Sequence, residues 1–167
     1  MKKTDNQFYV ILDNIRSIEN VGSIFRTADA LAVTKIYLGG ISGINFYRSG
    51  VKVKTLNPKI SKTALGAELN VPWEHCWQVG RIIAKLKKQN VKIVALEQTK
   101  EAINILKFKP NFPLALVLGN EVKGISKATL NRCQKVIQIP MRGKKESLNV
   151  AAAFGIAGFE INRFRFL

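Results

Sequence analysis

The sequence has one histidine, His75, and two cysteines, Cys76 and Cys133. Neither cysteine belongs to a CxxC pair. Structural zinc needs four closely spaced ligands of these types, so no metal site is expected. No window approaches the roughly 20 apolar residues that cross a bilayer. The first residues, Met1 to Gln7, are polar and carry no apolar h-region, so no signal peptide is expected and the cytoplasm is the expected compartment. There is no internal repeat and no low-complexity tract. No shift in composition marks a second domain, so one domain over residues 1–167 is expected.

Two nucleotide-binding signatures are also missing. No GxGxxG follows the first strand-like run. The segment Gly119-Asn120-Glu121-Val122-Lys123-Gly124-Ile125-Ser126 has two glycines at P-loop spacing and a closing serine. Ile125 stands where the phosphate-reaching lysine must be, and Glu121 would face phosphate oxygens. An NTPase is excluded on that mechanism.

Acids are scarce. Eleven Asp and Glu stand against 27 Lys and Arg, a formal net charge of +16. A field of that size favours a polyanionic partner, nucleic acid or an anionic membrane. The lysines are dispersed rather than gathered on one amphipathic helix, which argues against a membrane surface.

What is present is an alternation of strand and helix patterns. Residues 8–12 are a continuous apolar run, the pattern of a strand buried on both faces. Val21, Ile24, Phe25, Ala28 and Leu31 form one helical stripe, with Asn20 as the expected N-cap. Strands are expected at 35–38, 73–79, 91–96, 113–118 and 136–139. Helices are expected at 59–67, 80–89, 127–133 and 147–164, with a helical turn at 101–106. Ser126 and Ser147 are the expected caps of the last two helices. Residues 41–72 are the least regular. Arg48, Lys52, Lys54, Lys59 and Lys62 make that stretch basic, with Phe46 and Tyr47 interleaved. It reads as a solvated loop or as a phosphate-contacting arm on which bases stack. The alternation predicts an α/β fold: a mainly parallel sheet with helices on both faces. Ligands gather at the carboxyl ends of such strands, and the loops at 13–20, 119–126 and 140–147 all follow strands.

Three stretches together carry a family resemblance. They are Asn20-Val21-Gly22-Ser23-Ile24-Phe25-Arg26-Thr27-Ala28, Leu116 to Ser126, and Ile139-Pro140-Met141-Arg142-Gly143-Lys144-Lys145-Glu146-Ser147-Leu148-Asn149-Val150. In order and spacing the chain resembles the SpoU/TrmH branch of the SPOUT methyltransferases, which move a methyl from S-adenosylmethionine to a ribose 2′-hydroxyl of RNA. The resemblance implies a sheet whose C-terminal part is tied in a deep trefoil knot, a topology otherwise rare. It implies a homodimer with each active site built from both subunits, and tRNA or rRNA as substrate. No N-terminal RNA-binding extension is expected, so RNA affinity would come from the basic catalytic domain itself.

The implied cofactor residues are Leu96, Gly119, Ile139, Met141, Leu148 and Asn149. The product would be S-adenosylhomocysteine, with no metal involved. The implied catalytic set is Asn20, Arg26, Glu121, Ser147 and Asn149. In the family the Arg26 position acts as base or as activator through the RNA phosphate. A guanidinium keeps its proton in proteins, so phosphate grip and charge stabilisation are the physical reading. Glu121 would orient Arg26 or Asn20, while Ser147 and Asn149 hold the hydroxyl and loop. Residues 62–68 also look family-like and are expected to shape the RNA face. Two other readings stay open: a catalytically idle RNA-binding or chaperone module, and a base methyltransferase of the other SPOUT branch. The Ser147-Leu148-Asn149 motif disfavours the latter.

Overall fold

A computed structural model describes residues 6–48 and 51–166. The polar start that argues against a signal peptide lies outside the described residues up to Asp5. Among the described residues nine strands are formed: β1 (Phe8–Asp13), β2 (Lys35–Gly39), β3 (Ile44–Arg48), β4 (Val51–Leu56), β5 (Trp73–Cys76), β6 (Lys92–Leu96), β7 (Ile103–Asn104), β8 (Leu114–Leu118) and β9 (Lys135–Gln138). In the same described residues six α-helices accompany them: α1 (Ile18–Ala30), α2 (Ser61–Ala64), α3 (Ala67–Asn70), α4 (Val79–Lys88), α5 (Lys127–Leu130) and α6 (Val150–Asn162).

Seven strands make one sheet in the order β5-β2-β1-β8-β6-β9-β7, with every pairing parallel. The expected α/β architecture is therefore present. The continuous apolar runs have a simple cause. Phe8, Val10 and Leu12 of β1, with Leu114, Leu116 and Leu118 of β8, pack toward α1 and α6. The alternate residues Tyr9, Ile11, Ala115 and Val117 pack toward α4 on the other face. Both faces of the central strands are covered, so neither needs polar residues. The predicted stripe of α1 is buried, with Val21, Ile24, Phe25 and Ala28 fully enclosed. Gly158 lets α6 lie against α1, because a Cβ there would sit 2.7 Å from Leu31 Cδ1.

Several boundaries differ from the sequence expectation. α1 starts a turn earlier than Val21, and its cap is Ser17, whose Oγ accepts from the Asn20 N–H at 3.1 Å. The Asn20 side chain is used elsewhere. α6 starts at Val150 rather than Ser147, because Asn149 Oδ1 accepts from the N–H groups of Ala151 and Ala152 at 2.9 and 3.3 Å. Ser147 stays in the loop. The helix expected at 59–67 breaks at Leu65 and Gly66, both left-handed at φ 52° and 92°, into α2 and α3. The turn expected at 101–106 is the short strand β7 followed by a 3₁₀ turn at Ile105–Lys107. The irregular stretch holds an antiparallel hairpin, β3 with β4. The stacking and phosphate roles considered for Phe46, Tyr47, Arg48, Lys52 and Lys54 concern side chains outside the described part. Among the described residues no helix is long and apolar enough to cross a membrane.

Candidate active site at the carboxyl edge

β1, β8, β6 and β9 are adjacent and parallel, so the loops that follow them emerge on one edge. The loop after β8 is shaped by Asn120. Its Oδ1 accepts from the N–H groups of Val122 and Lys123, both at 3.0 Å, and its Nδ2 donates to the Asn14 carbonyl at 2.7 Å. That turn aims Glu121 at the start of α1. Glu121 accepts from the backbone N–H of Arg16 and of Ser17 and from Asn20 Nδ2, each at 3.0 Å. Burial disfavours its charge, but these three donors outweigh burial and hold the carboxyl below the ordinary carboxylate range.

Asn20 in turn accepts, through Oδ1, from Asn149 Nδ2 at 3.0 Å. A chain of polar contacts thus runs from Glu121 through Asn20 to Asn149. Each amide has its orientation set. Asn20 must give its NH₂ to the carboxylate, and Asn149 must give its oxygen to the first turn of α6.

A second acid knits the neighbouring loops. Glu97, just past β6, accepts from the N–H of Ile125 at 2.8 Å and of Gln98 at 2.9 Å. Gln98 Nε2 donates to the Ile139 carbonyl at 2.8 Å, tying in the loop after β9. Gly124 is left-handed at φ 63°, and a Cβ there would meet Glu97 Oε2 at 2.5 Å. Gly119 has no room either, since a Cβ would meet the main chain of Gly124 at 2.6 Å.

These loops enclose a cavity of about 460 Å³. Leu96, Gly119, Glu121, Ile139, Ser147, Leu148 and Asn149 line it, so seven of the sequence candidates meet there. Asn20 joins through its bonds to Glu121 and Asn149. Arg26 and Met141 do not line it. Arg26 is exposed on α1. It lies six residues beyond Asn20, which on a helix is about 9 Å along the axis and a third of a turn around. Sequence reasoning missed Glu97, Gln98 and Asn120. An acid placed directly after an apolar strand, at the ligand-binding edge, was the available signal for Glu97. Among the described residues no three His, Cys, Asp or Glu side chains cluster as metal ligands.

The SpoU rRNA Methylase family model matches residues 7–159, and the chain belongs to that family. It is 31% identical over 168 residues to a tRNA (guanosine(18)-2′-O)-methyltransferase of Aquifex aeolicus, covering 99% of this chain and 73% of that protein. It is 31% identical over 165 residues to a 23S rRNA (guanosine-2′-O-)-methyltransferase of Yersinia pestis, covering 99% of this chain and 63% of that one. Among solved structures, an AdoMet-bound rRNA methyltransferase from Sinorhizobium meliloti matches with a TM-score of 0.81 at 25% identity, over 98% of this chain and 58% of that one. The chain spans about three-fifths of the length of the first curated relatives it matches.

Proposed function

We propose that this chain is an S-adenosylmethionine-dependent methyltransferase acting on a ribose 2′-hydroxyl of tRNA or rRNA. The observation that carries the reading is the Glu121–Asn20–Asn149 chain, whose two ends line the 460 Å³ cavity. An idle RNA-binding module has no need of a polar chain with both amides orientationally locked.

The cavity suits the cofactor. Its volume is in the range of small-ligand pockets, roughly 300–1,000 Å³. Leu96, Leu118, Ile139, Leu148 and Val150 give it apolar walls for an adenine, and Glu121, Ser147 and Asn149 give it a polar side. Leu96, Gly119, Ile139, Leu148 and Asn149 would hold it, with Met141 at the edge. When bound, the cofactor supplies an electrophilic methyl. The protein's task is then to place the ribose hydroxyl and ease loss of its proton. Ser147 and Asn149 orient that hydroxyl, and Glu121 fixes Asn20 behind Asn149. Arg26 grips an RNA phosphate and stabilises developing alkoxide charge, while the hydroxyl proton leaves to water.

Arg26 stands outside the cavity wall of its own chain, which fits an active site completed by a second subunit. The outer face of α6 supports such a homodimer. Ile156 and Phe159, three residues apart on α6, are 48% and 68% exposed, apolar side chains that solvent does not favour. The C-terminal knot belongs to the same proposal: β9 is inserted between β6 and β7, and Gln98 ties the chain after it to the loop after β6. The place of work proposed is the cytoplasm.

The test is incubation with methyl-labelled S-adenosylmethionine and total RNA, followed by digestion to nucleosides. Label in 2′-O-methyl nucleosides is the expected result. Label in bases, or cofactor binding with no transfer, would overturn the reading.

A further inference from the structure

A second cavity, of about 600 Å³, lies beside the first. Its walls come from the end of β1, the first turn of α4 and the short helix α5, and they include Asp13, Asn14, Arg81, Thr129 and Arg132. It shares no lining residue with the first cavity. Yet the two adjoin. Asn120 on the wall of the first donates to the main-chain oxygen of Asn14 on the wall of the second.

The second cavity carries two exposed guanidinium groups, Arg81 and Arg132. Among the described residues the ion pairs involve Lys35, Lys85 and Arg163, so neither arginine is neutralised by an acid. Arg132 is also held in place. Its Nη1 donates to the Ala128 carbonyl at 2.6 Å. Its Nε lies 3.3 Å from where a Gly80 Cβ would be, so the guanidinium rests over the first turn of α4. One of its five N–H donors is spent on Ala128, and the others remain for an anion. No side chain caps that turn of α4, which adds to the same field without being needed for it.

The acid at this cavity, Asp13, is only 7% exposed. Its oxygens accept from Thr129 Oγ1 at 3.0 Å and Asn14 Nδ2 at 2.8 Å, so its charge is turned inward to the fold.

We propose that this second cavity binds the phosphodiester backbone of the RNA strand flanking the modified nucleotide, with Arg81 and Arg132 each gripping a phosphate. The inference rests on the RNA-modifying reading above and adds a subsite to it. Two planar forks facing one cavity suit phosphate oxygens better than dispersed lysines do. The shared wall at Asn14 and Asn120 puts the subsite beside the cavity where the ribose would be modified.

The probe is a fluorescein-labelled single-stranded oligoribonucleotide of about ten bases, followed by anisotropy across a salt series. Each phosphate contact on single-stranded nucleic acid adds about 0.7 to the slope of log affinity against log salt. The slope should fall by about 1.4 in R81Q/R132Q and by about 0.7 in R81Q alone. Among the described residues the exposed Arg81 side chain makes no hydrogen bond or ion pair, so R81Q decides the matter if the double variant melts. Titration with S-adenosylhomocysteine should be the same in all variants. An unchanged slope in R81Q overturns the subsite. So does saturable binding of inorganic phosphate, lost in the double variant, while the RNA slope stays put; that would make it a free-anion site. If the wild type transfers no methyl, the enzymatic reading falls, and the salt slopes still decide the subsite.

Discussion

Asn149 and Asn20 stand 129 residues apart in the chain, and their side-chain amides meet at 3.0 Å. Asn149 does two things at once there. Its oxygen caps α6, and its NH₂ group reaches Asn20. Those two duties can be separated by substitution. Asn149→Ala should cost about 1 kcal/mol of stability through the lost cap and abolish methyl transfer. Asn149→Asp keeps a good cap but turns a donor into an acceptor facing Asn20 Oδ1. It should melt near the wild-type temperature and still fail in transfer. Thermal melts paired with labelled-methyl assays would check both.

Ser17 and Asn20 offer a parallel contrast in α1. Ser17 is the cap, so Ser17→Ala should lower stability by about 1 kcal/mol. Asn20→Ala leaves that cap intact and removes the link between Glu121 and Asn149. Its loss should appear in turnover more than in the melting curve.

Glu121 sets a pH dependence. Its carboxyl is held below its ordinary value of 4.5, against burial, by the N–H groups of Arg16 and Ser17 and the Asn20 amide. A folded-state value depressed below the unfolded one contributes stability above the unfolded value. That contribution drains away as pH falls through the folded value. Urea midpoints should therefore fall more steeply below about pH 4.5 for wild type than for Glu121→Gln. At neutral pH the Gln variant should be the weaker, because its NH₂ group replaces one of the two accepting oxygens and leaves the N–H of Arg16 or Ser17 without its acceptor. Parallel curves would remove Glu121 from the account.

Arg26 carries a prediction with two arms. Arg26→Ala should lower methyl transfer by about two orders of magnitude while S-adenosylhomocysteine binds as before, since Arg26 does not line the cavity. Calorimetric titration and a transfer assay on one preparation separate the arms. Weakened cofactor binding would contradict the placement, and wild-type turnover would reject the role.

Gly119→Ala tests the cavity itself. The added methyl would press on the Gly124 main chain at 2.6 Å and on Ile125, neither of which is the free end of a flexible side chain. A cost of about 1–3 kcal/mol is expected, with weaker cofactor binding measured by titration.

Much of the fold could be read without coordinates. The run at 8–12 is apolar because β1 is covered on both faces, and that pattern needs no knowledge of neighbours. The stripe on α1 is equally local. The caps were harder. Ser147 and Asn149 are both good capping residues two positions apart, and only the direction of the incoming chain chooses between them. The same holds for Ser17 and Asn20. The hairpin of β3 and β4 was hidden because its strands pair only with each other, outside the main sheet, and its charges mimic a solvated loop.

Residue types and their local periods determined the α/β alternation, the large positive charge and the identity of the polar side chains at the strand ends. Tertiary structure alone decided which of those side chains meet. Glu121 reaches Asn20 across 101 residues because β1 and β8 are neighbours in the sheet. Strand order is a property of the whole chain's packing, and no short window of sequence contains it.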